Sequence, residues 1–332
     1  MKHNPDTYPE TSSRVQTIGP FRLAPWFSPR PWGSVDLAPW YPGKREEPIG
    51  EAWLTGRDCI VESGCAAGWT LGKLVDELGG EMLLGNGAGS GDFPLLTKLL
   101  FPRAKLSVQV HPDDCAAQSA GERCGKTECW YVLSADAGAS VALGLLPDVS
   151  ERDIREAIAS HTLERLLDWV PVSAGDMIYV DAGTVHSIGP GVVLLEIQQY
   201  SDVTYRLYDY GRPRELHLEL GLRALKLKTG AGKVRAERYE GYDRLISKQY
   251  FVVERHTLAA GEDRQMQNWG RTAQVLVSLS GSATLKVRGT EPLELLPGRA
   301  VVIPAAVAEY SLDVPHGMVC IRAMPPGTVG LD

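Results

Sequence analysis

Short apolar runs separated by glycine and proline make up most of the chain, and this pattern predicts a mostly β protein. Val, Ile, Leu and Tyr occur in runs of strand length, and the 35 glycines and 22 prolines between them are typical of turns. Such runs dominate 93–146, return at 176–180 and 192–199, and fill the chain from 245 onwards.

Three segments have the spacing of short helices instead. In 68–82, apolar residues recur at near-helical intervals and a Gly-Gly pair predicts the end of the helix. Segment 150–170 begins with Ser150 before a charged first turn, which predicts one or two helices, and 215–228 predicts another. These helices interrupt the β pattern without replacing it.

The two β-rich parts of the chain share a weak internal repeat. Segments 175–186 and 298–309 have the same length and the same turn–strand–turn punctuation, but the first ends in histidine and the second in glutamate. Likewise, Gln274 stands in the second part at the place of Glu128 in the first. The repeat predicts two β-barrel halves, of which the second lacks metal ligands.

Composition and charge limit the possible partners. The 332 residues are 44% hydrophobic and 23% charged, as in an ordinary soluble globular protein. A net charge of -7 without a Lys/Arg-rich block argues against nucleic acid, and no apolar stretch has the length of a membrane span or signal peptide. We therefore expect a cytoplasmic monomer or homodimer that acts on a small molecule.

Cysteine usage narrows the kind of metal site. The six cysteines contain no Cys-x-x-Cys pair, and without an export signal they are better interpreted as reduced thiols than as disulfides. A metal would therefore be bound by nitrogen and oxygen ligands.

Such ligands occur along the first β-rich part. Strand alternation in LSVQVHPDD places Gln109 and His111 on one face, Glu128 begins another strand, and His186 follows a glycine turn. Each residue alone would more often be an ordinary polar side chain. Their joint order instead favours a divalent metal site with two imidazoles, one carboxylate and an amide oxygen.

Five strings, PLLTKLL, LSVQVHPDD, GKTECWYVL, GTVHSIG and QQYSDVTYRLYDYGR, together resemble the type I phosphomannose isomerases, and most closely their short bacterial form within the cupin superfamily. The likeness runs from about residue 51 to 214. It implies jelly-roll cupin barrels. We expect a metal-binding catalytic domain at 1–230 with the inserted helices, and a degenerate half without metal at 245–332.

The resemblance also implies which residues form the site. Gln109, His111, Glu128 and His186 would bind one metal ion per chain, usually zinc, and Lys98, Lys126, Asp202 and Arg206 would line the substrate pocket. Long-form relatives have a histidine directly before the lysine that matches Lys126. This chain has Gly125 there, so the group that opens the sugar ring is not identified.

The implied reaction interconverts mannose 6-phosphate and fructose 6-phosphate through a metal-stabilised cis-enediolate. Lys126, with its pKa lowered beside the metal, is the expected base. Arg206 would stabilise the enediolate, and Asp202 would orient Arg206 or transfer ring protons. Lys98, supplemented by Ser107 or main-chain amides, would bind the phosphate.

Two other functions remain open from the residues alone. Two histidines and a carboxylate on a jelly roll can also hold iron(II) for oxygenase chemistry, although lysine and arginine neighbours suit that chemistry less well. A sugar-binding cupin without catalytic activity is the other alternative. We interpret Asp113 and Asp114, after His111, as a solvated turn that caps the following segment.

Overall fold

The computed structural model describes residues 18–64, 66–85 and 92–327, and most of its regular structure is β. The strands in these ranges are β1 Phe21–Leu23, β2 Trp26–Leu37, β3 Tyr41–Trp53, β4 Leu95–Leu100, β5 Val108–Val110, β6 Glu128–Ala135, β7 Ser140–Leu145, β8 Leu167–Pro171, β9 Met177–Val180, β10 His186–Ile188, β11 Val192–Gln199, β12 Tyr205–Tyr208, β13 Gly232–Val234, β14 Glu237–Tyr239, β15 Tyr242–Ser247, β16 Val252–Leu258, β17 Glu262–Gln267, β18 Gln274–Ser280, β19 Ala283–Lys286, β20 Leu293–Leu295, β21 Ala300–Ile303, β22 Glu309–Val314 and β23 Met318–Met324.

Helices occur in all three segments where they were predicted. Helix α3 begins with a capping box between Ser150 and Asp153, but a 3-10 turn and β8 occupy the rest of 150–170. The helix predicted at 215–228 is shorter than expected. The helical elements are α1 Leu71–Leu78, a π-helical turn Gly80–Leu84, α2 Asp114–Ser119, α3 Glu151–Ala159, the 3-10 turn Leu163–Leu166 and α4 Leu218–Ala224.

Four antiparallel sheets form two similar halves. In the first half, a seven-stranded sheet in the order β13-β9-β6-β11-β4-β3-β2 accompanies a five-stranded sheet in the order β12-β5-β10-β7-β8. In the second, the orders are β1-β21-β18-β23-β16-β15-β14 and β17-β22-β19-β20. Each half is a jelly-roll pair of open sheets and not a closed barrel, which refines the prediction of cupin barrels.

Strand register reproduces the internal repeat. Glu128 pairs with Val180 in the first half, and Gln274 pairs with Ile303 at the matching positions of the second. Strand β13 completes the large sheet of the first half, and β1, from the opposite end of the chain, completes that of the second. The domain boundary between 230 and 245 stays a prediction.

Hydrophobic clusters separate the layers. One cluster lies between the two large sheets and includes Leu99, Ile197, Val253 and Val275. A second fills the interior of the first half and a third fills that of the second. A fourth packs α3 and α4 against the outer face of the five-stranded sheet. The sheet interiors therefore bury side chains on both faces of the strands that carry the site.

Two expectations from the sequence concern membrane-spanning helices and disulfide bonds. No helix in the part of the chain that the structure describes is both long and apolar enough to cross a membrane. Five cysteines are free thiols, as predicted, and Cys65 lies outside the described residues.

Candidate active site

Three predicted metal ligands meet in the interior of the first half. His111 follows β5, Glu128 begins β6 and His186 begins β10, and all three are almost completely buried. Glu128 Oε2 lies 3.7 Å from His111 Nε2, and Oε1 lies 3.4 Å from His186 Nε2. The three ligand atoms lie within 4.8 Å of one another, and no other group of this kind occurs within 18–64, 66–85 and 92–327.

Both imidazoles present Nε2 to the centre of this group. His111 Nδ1 lies 2.8 Å from the Val203 carbonyl oxygen and His186 Nδ1 lies 2.9 Å from that of Thr184, so each Nδ1 carries the hydrogen and donates. Burial lowers the pKa of His186 to about 4, and burial together with the nearby Lys126 also lowers that of His111. Neutral rings with a free Nε2 are the form that binds metal.

Three of the central atoms are buried without a hydrogen-bond partner. They are His111 Nε2 and both oxygens of the Glu128 carboxylate, although buried polar atoms are ordinarily satisfied. Glu128 Oε2 has the Lys126 ammonium at 2.9 Å. A divalent cation bound by two imidazoles and a carboxylate would satisfy these atoms, so the residues present fit a metal site.

Gln109 lies directly beside the three ligands. Its Cα is opposite that of His186, and its amide nitrogen lies 3.2 Å from His186 Nε2. Ser107 donates a hydrogen bond of 3.0 Å to the other end of the amide. Rotation of the Gln109 side-chain amide by 180° exchanges its oxygen and nitrogen, which occupy nearly the same space, so the oxygen can also face the metal-ligand group. The Ser107 hydroxyl contacts the amide in both orientations, because a hydroxyl can donate or accept.

A cavity of about 440 Å³ opens beside this group. It brings together every residue predicted for the substrate pocket. The predicted lining residues are Lys98, Ser107, Lys126, Asp202 and Arg206. The cavity also reaches Gln109, a predicted metal ligand, and polar or aromatic residues that the sequence did not reveal, which are Arg30, Trp32, Glu51, Glu196, Thr204 and Arg214.

Lys98 is held by two carboxylates and an aromatic ring. Its ammonium lies 2.5 Å from Asp202 Oδ1, 3.9 Å from Glu196 Oε1 and 4.2 Å from the centre of the Trp53 ring. Asp202 therefore pairs with Lys98, whereas the sequence suggested that it orients Arg206. Between them, these contacts fix the lysine in the cavity wall.

Lys126 is enclosed by carboxylates. Besides its contact with Glu128, its ammonium lies 3.7 Å from Glu196 Oε1. Burial by itself lowers the pKa of Lys126, but among the protein's own groups Glu128 and Glu196 outweigh burial and raise it above the usual value, and the lowering expected beside a bound metal stays a prediction. Burial raises the pKa of Glu196 to about 7 against the opposing effect of Lys126. Lys126 and Glu196 thus form a buried pair of opposite charge beside the metal-ligand group.

Arg206 lies in the cavity wall next to Gln109. Its Cα on β12 is opposite that of Gln109, its Nη1 donates to the Glu215 carbonyl at 2.8 Å, and its Nε is buried without a partner. Burial and the neighbouring Arg214 lower the pKa of Arg206. This poorly compensated cation suits an electrostatic role toward an anion in the cavity.

The segment between His111 and Lys126 differs from the sequence expectation. Asp113 caps α2, as predicted, by accepting from the Ala116 N–H at 3.0 Å. Asp114 is not a solvated turn residue, because it accepts three hydrogen bonds from distant parts of the chain. A Cβ on Gly125 would lie 2.5 Å from the Asp113 carbonyl carbon, so close backbone packing leaves no room there for a side chain.

Comparisons with known proteins agree with this site. A family model of the phosphomannose isomerase type I catalytic domain matches residues 21–135. The mannose-6-phosphate isomerase of Streptococcus mutans is 36% identical over 281 residues, which are 80% of this chain and 86% of that protein. ManA, the mannose-6-phosphate isomerase of Bacillus subtilis, is 32% identical over 313 residues, 90% of this chain and 96% of that protein.

The fold of a solved relative is also similar. The crystal structure of mannose 6-phosphate isomerase from Bacillus subtilis matches with a TM-score of 0.81 and 29% identity, and the match covers 92% of this chain and 99% of that one. The cupin architecture predicted from the sequence is thereby confirmed. On these similarities, which agree with its five sequence motifs, the chain belongs to the type I phosphomannose isomerase family.

Proposed function

We propose that this chain interconverts mannose 6-phosphate and fructose 6-phosphate. The observation that carries the proposal is the buried group of His111, Glu128 and His186, which has unpaired ligand atoms and lies beside a cavity lined with cations. The names of the curated relatives support the same reaction. Nothing in the family assignment supports an iron(II) oxygenase or a sugar-binding cupin without activity.

Zinc is the proposed metal, with one ion per chain. His111, Glu128 and His186 would hold it with the Gln109 amide oxygen, a donor set of nitrogen and oxygen that suits zinc. When bound, zinc supplies a Lewis acid that polarises the oxygens on C1 and C2 of the sugar.

Proton transfer is assigned to Lys126 and Glu196. Isomerisation removes a proton from C2 and returns it to C1. Lys126 would accept that proton as a neutral amine, and Glu196, whose Oε1 lies 3.7 Å from the lysine nitrogen and whose pKa is raised to about 7, is proposed as a second proton carrier beside it. Arg206 would stabilise the negative charge that develops on the substrate oxygens.

The phosphate group is assigned to the cations that line the cavity. Lys98 stays the proposed phosphate contact, with Ser107 as a supplement. Arg30, paired with Glu51, and Arg214, paired with Asp209, line the same cavity and are further proposed contacts for a dianion.

Isomerisation in heavy water tests the reaction. With mannose 6-phosphate as substrate, an assay coupled to fructose 6-phosphate should show turnover without dioxygen, and mass spectrometry should find solvent deuterium at C1 of the product or at C2 of recovered substrate. Partial labelling agrees with the proposal, because a closed site can return the proton before it exchanges. Dioxygen consumption would instead favour iron chemistry. Transfer with no label at all would remove Lys126 from its role.

A further inference from the structure

The Asp114 side chain joins separate segments of the chain that lead to site residues. Its Oδ1 accepts hydrogen bonds from the Gly125 N–H at 2.8 Å and from Gln199 Nε2 at 2.9 Å. Its Oδ2 accepts a third, from the Tyr250 hydroxyl, at 2.7 Å. A carboxylate with three such donors holds them more firmly than a neutral acceptor would.

The three segments are those that position the site. Asp114 lies three residues after His111, Gly125 directly precedes Lys126, and Gln199 lies three residues after Glu196. Asp114 therefore links the approaches to a metal ligand, to the proposed base and to its proton partner.

Successive main-chain amides before Glu128 are all fixed around this carboxylate. The Gly125 N–H donates to Asp114 itself, and the Lys126 N–H donates to the Pro112 carbonyl at 3.0 Å. The Thr127 N–H donates to Oε1 of Gln199 at 2.8 Å, while the other end of the same amide is bonded to Asp114. Residues 125–127 thus have no amide hydrogen free to change its partner without disturbing the cluster.

Tyr250 brings the second half of the molecule to this cluster. It lies between β15 and β16, next to Phe251, which is completely buried with its ring 6.5 Å from that of Tyr179 on β9. Lys248 lies over the same Tyr179 ring at 5.2 Å. The loop that carries Tyr250 is therefore packed against the first half, and its hydroxyl has a fixed position.

We propose that Asp114 and Tyr250 are positioning residues, which hold residues 125–127 and thereby aim the Lys126 ammonium and the Glu128 carboxylate. Through this contact the half without metal ligands contributes to catalysis in the other half. The kinetic part of the proposal rests on the isomerase function proposed above.

Substitutions at the two residues test the link in the full-length zinc enzyme. Tyr250→Phe removes one hydroxyl and should lower kcat about 5-fold, the size of one lost hydrogen bond, with KM unchanged. Asp114→Ala should lower kcat further and weaken zinc affinity about 10-fold in competition with a chelator, as partners behind metal ligands commonly do. In the Asp114→Ala background, adding Tyr250→Phe should have no further effect.

Two matched variants serve as controls. Asp113→Asn changes the neighbouring aspartate and keeps a good helix cap, and Tyr239→Phe removes an exposed hydroxyl from the same half. Neither should change kcat or zinc affinity.

Each outcome decides the proposal. It is overturned if Tyr250→Phe lowers only the melting temperature, or if its effect on kcat is the same with and without Asp114. An active wild-type enzyme with unaffected variants rejects only this inference. An inactive wild-type enzyme rejects the proposed function. Zinc affinity then decides whether Asp114 and Tyr250 position the metal ligands: equal affinities in wild type, Asp114→Ala and Tyr250→Phe would refute that role.

Discussion

The two halves of the molecule share strand order and register but differ in how they treat buried polar groups. In the first half three of the matched positions carry side chains that could hold a metal ion, with unpaired atoms in one cluster, while the described residues of the second half offer no such cluster, although His256 Nδ1 and Asn268 Oδ1 are also buried without a partner. The matched pairs, from strand register and spacing, are Gln109 and Gln267, His111 and Trp269, Glu128 and Gln274, and His186 and Glu309.

Each half also has a basic residue opposite a glutamate at matched positions of its large sheet, and the two pairs differ in how closely the charges approach. Lys98 and Glu196 are opposite each other on β4 and β11, and Glu254 and Arg322 occupy the same positions on β16 and β23. Lys98 and Glu196 are 3.9 Å apart, and both face the cavity. Arg322 instead donates two hydrogen bonds to Glu254, at 2.9 and 2.5 Å, and His256 contacts the same oxygen at 3.2 Å.

This comparison teaches that catalytic capacity on this scaffold depends on incomplete pairing. Polar groups that saturate one another contribute a closed interior, whereas groups left with unused donors and acceptors can bind a metal ion and a substrate. Both halves hold unpaired buried atoms, each unfavourable for stability, but among the described residues only those of the first half meet in one group of potential metal ligands.

The largest expected effect comes from removing a ligand from one half only. His186→Ala should reduce zinc from one ion per chain to nearly none and lower isomerase activity by about 1,000-fold or more, because the Lewis acid is lost. Elemental analysis and the coupled assay measure both. Glu309→Ala, at the matched position of the second half, should change neither. Full metal content in His186→Ala, or two ions per wild-type chain, would refute the difference between the halves.

Breaking the ion pair of the second half should cost stability and not activity. Arg322→Ala leaves the buried Glu254 carboxylate without its main partner and should lower the free energy of unfolding by about 3–5 kcal/mol. Urea unfolding measures the loss. The double variant Glu254→Leu/Arg322→Met should recover most of it, and kcat of the folded protein should stay at the wild-type level. A large fall in kcat would show that this pair does more than stabilise.

Catalytic groups of the first half should behave in the opposite way. Lys126→Met and Arg206→Ala should each keep zinc and a folded chain while lowering kcat by roughly 100-fold, the usual scale for a base or an electrostatic group. Lys286→Met, at an exposed lysine of the second half that pairs with Asp313, is the matched control. Near wild-type kcat in either catalytic variant would contradict its assigned role.

The smallest expected effect concerns phosphate binding. Lys98→Met should raise KM for mannose 6-phosphate about 10-fold with little change in kcat, because a charge contact made equally in ground and transition states is lost. Steady-state kinetics with unphosphorylated mannose provide the control. An equal loss of kcat/KM with both sugars would show that Lys98 acts on the sugar ring and not on the phosphate.

Much of the site could be predicted because its ligands follow local rules. Strand alternation placed Gln109 and His111 together, and His186 follows a turn at Gly183, where the second repeat has Ala306 at the matching place. Glu196 was overlooked, although it is the only charge in the apolar strand VVLLEIQQ, and a lone charge in a buried strand is a usable signal.

Pairings across long sequence separations could not be predicted. Asp202 is near Arg206 in the sequence, yet it pairs with Lys98, 104 residues away, because β4 and β11 are neighbours in the sheet. Contacts such as Arg30 with Glu51 likewise depend on strand register, which the sequence pattern does not specify.

The short edge strands have a consequence for synthesis of the protein. Strand β13 pairs with β9 about 55 residues earlier, so the large sheet of the first half can be completed soon after its strands emerge. Strand β1 pairs with β21 about 280 residues later, for example Phe21 with Val302. At 5–20 residues per second, a ribosome needs roughly 15–60 s to make that interval. Among the described residues β1 is the earliest strand to be translated, and one of its edges can bond to residues 60–62 about 40 residues later, while the edge that pairs with β21 stays without that partner for the whole interval.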